Sequence, residues 1–132
     1  MYYTIHIMSS SRVVYTSLTS QQLQELLNDS SQPKIVIKFS AKWCKPCTQI
    51  KEFCEKQMAS LPDTILIADI DIDETLDLYG MLKRKRTVSG IPTMLFYDGA
   101  EDHSRAWHIP DDSVSGTDQN EIQSFFTRCL EA

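Results

Sequence analysis

Basic charge is in deficit in this 132-residue sequence, cysteine is sparse, and long apolar runs are missing. Thirteen Lys and Arg stand against eighteen Asp and Glu, for a formal net charge of -5. General nucleic-acid binders are usually basic, so that class is set aside. No apolar stretch approaches the roughly 20 residues that cross a bilayer, so no membrane helix is expected. The opening MYYTIHIMSSSRVV lacks a basic flank followed by a long apolar core, which argues against a secretory signal. It holds one arginine and no acid, which leaves an organellar transit peptide as a second reading. The four cysteines, at 44, 47, 54 and 129, are too few for a disulfide-stapled secreted domain. They fit an intracellular protein, cytoplasmic in the first reading and mitochondrial in the second. No internal repeat is visible.

The rest is ordinary globular material, 42% hydrophobic and 23% charged. The length gives one compact domain with a real core, not two. Residues 1–11 read as an N-terminal lead-in and 12–132 as the domain. Arg12–Leu18 reads as an edge strand. Thr19, with Gln22 three residues on, marks a helix start, and Leu23, Leu26 and Leu27 mark its face. Ile35, Val36, Ile37 and Phe39 form a short β-rich run of the kind buried in a central strand. A helix over 46–58, a strand over 64–72, a helix over 73–82 and a strand over 93–97 follow. Asp98-Gly99 signals a hairpin turn with 101–109 as the return strand, and 108–117 reads as a loop. Asp118 starts a last helix with Ile122, Phe125, Phe126 and Leu130 inward. This alternation predicts an α/β fold, a central mixed β-sheet flanked by helices on both faces.

The chemistry concentrates in Trp43-Cys44-Lys45-Pro46-Cys47, directly after the Lys34–Lys42 run. Two cysteines two residues apart suit a redox dithiol. They also suit half of a zinc site completed by Cys54 and a histidine, or a pair of incidental core thiols. Against zinc, Cys54 lies seven residues beyond Cys47, and no second Cys-x-x-Cys or His pair completes a set. The proline and tight spacing argue against incidental burial. Cys54 and Cys129 read as inert helix-face residues, since free cysteine often packs as a small hydrophobe.

Phe39-Ser-Ala-Lys-Trp-Cys-Lys-Pro-Cys resembles the active-site segment of the thioredoxin family, at a strand-to-helix junction. Gly90-Ile-Pro-Thr93 resembles the family's second signature, the loop with a cis-proline. Asp71-Ile-Asp73 and Asp98-Gly99 resemble the acidic end of its third strand and its late hairpin turn. These landmarks come in the family's order and cover roughly residues 12–130. The resemblance implies a thioredoxin-like fold and a thiol–disulfide oxidoreductase that reduces protein disulfides through Cys44 and Cys47. Cys44, at a helix N-terminus where unpaired N–H groups favour negative charge, with Lys42 and Lys45 nearby, is the expected nucleophile. Cys47, one turn along, is the expected resolving thiol. Pro46 shapes the helix start, and Trp43 is expected to act as a lid. Pro92 is expected to be cis, to face Cys44, and to present the Ile91 backbone to an extended substrate.

Four departures from the family pattern stand out. The loop 103–117 is longer than expected and lacks the family's usual glycine after the last strand, and His103 and His108 in it read as surface residues. Where thioredoxins usually carry a buried aspartate, one residue before Phe39, this chain has Lys38. By alternation Lys38 shares a face with Val36, and an isolated buried ammonium is costly. Asp69, on the same face as Ile65 and Ile67, is its expected partner. Lysine and aspartate are thus exchanged between strands, with Asp69 as base for Cys47 and Lys38 supporting its thiolate; the bland alternative is that Lys38 snorkels to the surface. Lysine also replaces the usual glycine between Cys44 and Pro46. The third helix is read as about one turn longer than usual, with Lys83–Arg86 as a solvated basic end, a docking patch or a nuclear-localisation signal. No cofactor and no metal are expected. The expected partners are disulfide-containing proteins, with electrons from an upstream reductase or a low-molecular-weight dithiol, acting on a monomer. The competing reading is a thioredoxin-like adaptor or specialised exchanger with little general reductase activity.

Overall fold

The computed structural model describes residues 12–104 and 106–132, together with the backbone of residues 5–7. In chain order the elements are β1 (Ile5–Ile7), β2 (Val13–Tyr15), α1 (Ser20–Leu27), β3 (Lys34–Ser40), α2 (Lys45–Ala59), β4 (Ile65–Asp71), α3 (Leu76–Arg84), β5 (Thr93–Asp98), β6 (Asp112–Ser115) and α4 (Gln119–Glu131). The strands form one mixed sheet in the order β1-β2-β4-β3-β5-β6. β3 is central, parallel to β4 and antiparallel to β5.

Strand alternation sorts the core into two layers. Val36, Ile67, Met94 and Phe96 point to one face, where Ile50, Cys54 and Met58 of α2 and Ile122, Phe125 and Phe126 of α4 cover them. Ile35, Ile37, Phe39, Ile70, Leu95 and Tyr97 point to the other, under Leu23 and Leu27 of α1 and Leu78, Tyr79 and Leu82 of α3. Helices on both faces explain why β3 and β5 read as continuous apolar runs rather than alternating ones.

The helix ends follow local chemistry. Thr19 and Gln22 form a reciprocal capping box at α1. The Asp118 carboxylate accepts from the amides of Asn120 and Glu121 at α4. Buried Arg12 donates to the carbonyls of Leu61, Pro62 and Ile65 and fastens the α2–β4 turn. α3 starts at Leu76 rather than Asp73, and the turn before it is held by the Asp71 side chain, which accepts from the Asp73 amide at 2.9 Å.

Three strands differ from expectation. β2, read as an edge strand, lies between β1 and β4. Residues 5–7, read as irregular lead-in, pair antiparallel with β2. The return strand after Asp98-Gly99 is Asp112–Ser115, inside the segment read as a loop, and the described part of 101–109 is non-regular. The Asp98-Gly99 pair therefore does not make a tight hairpin. Gly99 instead donates its amide to the Pro33 carbonyl at 2.7 Å, and a Cβ there would lie 2.4 Å from that oxygen. The glycine is required by close backbone approach.

Candidate active site

The dithiol sits where β3 hands over to α2. Cys44 is the N-cap residue of α2, in extended conformation, and its Sγ accepts from the Cys47 amide at 3.3 Å. A sulfur so placed faces the unpaired N–H groups of the helix start, where negative charge is favoured. Its carbonyl accepts from the Thr48 amide at 3.1 Å and from the Thr48 hydroxyl at 3.2 Å. Pro46, in the first turn, gives up an N–H that would have no intrahelical partner. Cys47 lies one turn on and is 3% exposed, while Cys44 is 5% exposed. Both are free thiols. Burial pushes the Cys47 thiol up to about 11; its hydrogen bond with Cys44 adds to this, while the Ala41 backbone and the Lys38 charge work against it.

The rim of the site is part apolar, part charged. The Ile91–Pro92 peptide is cis, and Ile91 and Ile72 pack against Ala41, Cys44 and Cys47. Thr93 fixes this loop: its hydroxyl donates to the Gly90 carbonyl at 2.7 Å and meets the Ser115 hydroxyl at 2.9 Å. The Gly116 amide donates to the Pro92 carbonyl at 3.1 Å. Trp43 is 68% exposed, and its indole N–H donates to Asp73 at 2.6 Å. Lys42 pairs with Glu74 at 3.2 Å. The two contacts tie the residues before Cys44 to the β4–α3 turn. Lys45 is exposed.

Behind Cys47, the alternation argument for Lys38 holds. Lys38 is 3% exposed, opposite Asp69 in the β3–β4 register, with Nζ 3.6 Å from the carboxylate. It does not snorkel. Asp69 keeps 29% of its side-chain surface. Both line a cleft of about 350 Å³ with Lys42, Cys47, Lys51, Asp71 and Glu74. A buried cation thus has its anion in a cleft that also reaches the inner thiol.

Other titratable groups stand apart from the dithiol. Cys54 and Cys129 are buried, and desolvation pushes their thiols up to about 11 and about 12. Among the described residues no three His, Cys, Asp or Glu side chains gather as a metal site. Sequence reasoning treated His103 as a surface residue. It is 8% exposed, with Nε2 3.0 Å from the Asp98 carbonyl oxygen and 3.2 Å from the Asp111 carboxylate. The Trp43–Asp73 and Lys42–Glu74 contacts were also missed, since loop acids carry no period that reveals what they face.

A family model described as Thioredoxin matches residues 14–127. The chain belongs to the thioredoxin family. It is 33% identical over 110 residues to thioredoxin 3 of Plasmodium falciparum, covering 83% of this chain and 56% of that protein. It is 31% identical over 90 residues to thioredoxin-2 of Saccharomyces cerevisiae, covering 68% of this chain and 82% of the yeast protein. The crystal structure of a Plasmodium falciparum thioredoxin superposes with a TM-score of 0.65 at 25% identity, covering 97% of this chain and 95% of that one. The chain spans about half the length of several curated relatives it matches.

Proposed function

We propose that this protein is a thiol–disulfide oxidoreductase that reduces protein disulfides through Cys44 and Cys47. The observation that carries the reading is the Cys44 sulfur at the α2 N-cap, accepting from the Cys47 amide, beside the cis Ile91–Pro92 loop. Cys44, as thiolate, attacks one sulfur of a substrate disulfide. The substrate S–S bond breaks, a Cys44–substrate disulfide forms, and the leaving thiolate takes a proton from solvent. Cys47 then loses its proton and attacks the Cys44 sulfur. The mixed disulfide breaks, a Cys44–Cys47 disulfide forms, and the substrate's second thiolate leaves and is protonated. Two electrons pass from the dithiol to the substrate. An upstream reductase or a small dithiol returns them.

The second step is where Lys38 and Asp69 enter. Burial holds Cys47 protonated at neutral pH, so its proton needs a taker. Asp69 reaches the shared cleft and serves as that base through water. The Lys38 charge favours the thiolate as it forms. Ile91 offers backbone to an extended substrate, and Trp43, Lys45 and Pro46 form the opposite rim. The protein works as a monomer in a reducing intracellular compartment, cytoplasmic before mitochondrial, as one domain whose sheet takes in residues 5–7 as well. Among the described residues few large apolar side chains are exposed, which supports the monomer.

An adaptor is the second reading, and one observation favours it. Lys83, Arg84, Lys85 and Arg86 are all exposed, with no ion pair among the described residues. The deciding experiment is a redox titration of the Cys44–Cys47 pair against dithiol buffers, read by alkylation and intact mass. A reversible two-electron couple with a reducing potential supports the oxidoreductase. Failure to form a reversible Cys44–Cys47 disulfide leaves the adaptor.

A further inference from the structure

We infer that Lys45 selects the substrate: the disulfides reduced best carry an acidic residue within two positions of the cysteine that Cys44 attacks. This rests on the oxidoreductase reading above and adds the class of disulfide.

The charges flanking Cys44 are already sorted within the chain, except one. Lys42 is taken by Glu74 at 3.2 Å. Asp73 accepts the Trp43 indole N–H at 2.6 Å. Those two acids are the exposed carboxylates of the adjoining β4–α3 turn, and each has a partner. Lys45, the first residue of α2, is exposed and has neither an ion pair nor a side-chain hydrogen bond among the described residues. The cation nearest the proposed nucleophile in sequence is therefore unpaired in the free protein.

Reach follows from chain geometry. Consecutive Cα atoms lie about 3.8 Å apart, so Lys45 is one step from Cys44. A residue beside the attacked cysteine is one step from it on the substrate side. When the two sulfurs come into bonding distance, the long, flexible lysine stem sweeps the space those neighbours occupy. The surface there is partly apolar, with Ile72 and Ile91 packed against the thiols. A docked substrate displaces water from it, which strengthens a charge pair at its edge relative to one in open solvent. Carboxylates in that position are attracted, and ammonium groups repelled.

The test uses three cyclic disulfide peptides, identical except for Glu, Gln or Lys on both sides of each cysteine. kcat/KM is measured for the wild-type protein, Lys45→Gln and Lys45→Glu. Each variant's own reduction potential enters all three peptides equally, and each peptide's own reactivity enters all three proteins equally, so the change in preference between proteins isolates the contact. The wild type is expected to prefer the Glu over the Lys peptide by about five-fold or more at low salt, the range of an exposed ion pair plus its like-charge counterpart. The preference shrinks towards unity at about 1 M salt, where the Debye length is roughly 3 Å. Lys45→Gln reduces it below about two-fold, and Lys45→Glu inverts it. Equal rates with all peptides in the wild type, or a preference that Lys45→Gln leaves intact, overturn the inference while the oxidoreductase reading stands. Failure to reduce any peptide overturns both.

Discussion

The two sides of β3 are built from the same strand and put to different uses. Towards α1 and α3, Ile35, Ile37 and Phe39 are fully buried among Leu23, Leu78, Tyr79 and Leu82. Towards α2 and α4, Val36 is followed by Lys38, which meets Asp69 across the strand and the cleft that reaches Cys47. The apolar side is a packing problem, and any side chain of the right volume solves it. The other side carries an ion pair that packing does not require, since a buried pair is a weak source of stability. Its place behind the inner thiol is what the proposed proton transfer draws on. The first side holds the dithiol's platform; the second carries the ion pair beside the cleft that reaches Cys47.

Substitutions can separate the two sides. The largest expected effect is on the thiols. Cys47→Ser is predicted to abolish turnover and to accumulate a Cys44–substrate mixed disulfide, detectable by intact mass; sustained multiple turnover would refute the assignment of the resolving thiol. Next is Phe39→Ala on the apolar side. It should cost about 3–5 kcal/mol in denaturant unfolding. If Phe39→Ala instead changed thiol titration at little cost in stability, the division between the two sides would fail. Gly99→Ala should cost about 1–3 kcal/mol, because the new Cβ meets the Pro33 carbonyl; no change would mean that the loop gives way freely.

A smaller effect appears with alkali. Burial pushes the Cys47, Cys54 and Cys129 thiols up to about 11, about 11 and about 12, from their usual 9.0. The folded state therefore holds these protons longer than the unfolded state. Stability from this source is intact below pH 9 and falls as pH rises from about 9 to about 12. Urea midpoints of the reduced protein should decline across that window, and less so in Cys54→Ala. A midpoint that rises there would contradict the burial argument.

Much of this was legible in the sequence because it rests on period and local chemistry. The alternation of β3 put Lys38 on the Val36 face, and the same count on β4 put Asp69 opposite. The Thr19–Gln22 spacing gave the α1 cap. The cysteine spacing, with Gly90-Ile-Pro-Thr93 downstream, pointed to the candidate site. The rest depended on contacts without a period. β1 is three residues long, and only its partner strand reveals it. β6 lies in a segment rich in Asp and Ser, where strand propensity is low and the ladder to β5 decides. Asp98-Gly99 reads as a tight turn because the dipeptide favours one. The glycine is there for the Pro33 carbonyl, which no local rule shows.

The central claim is that the charged side of β3 governs the inner thiol. Its most direct measurement is the pH titration of Cys47 in the reduced protein, followed by NMR of its 13C-labelled β-carbon, in the wild type and in Lys38→Met. The account predicts a wild-type midpoint near 11 and a higher one in Lys38→Met, which keeps the burial but removes the opposing positive charge. A midpoint that stays in place or moves down would show that Lys38 and Asp69 are paired for packing alone.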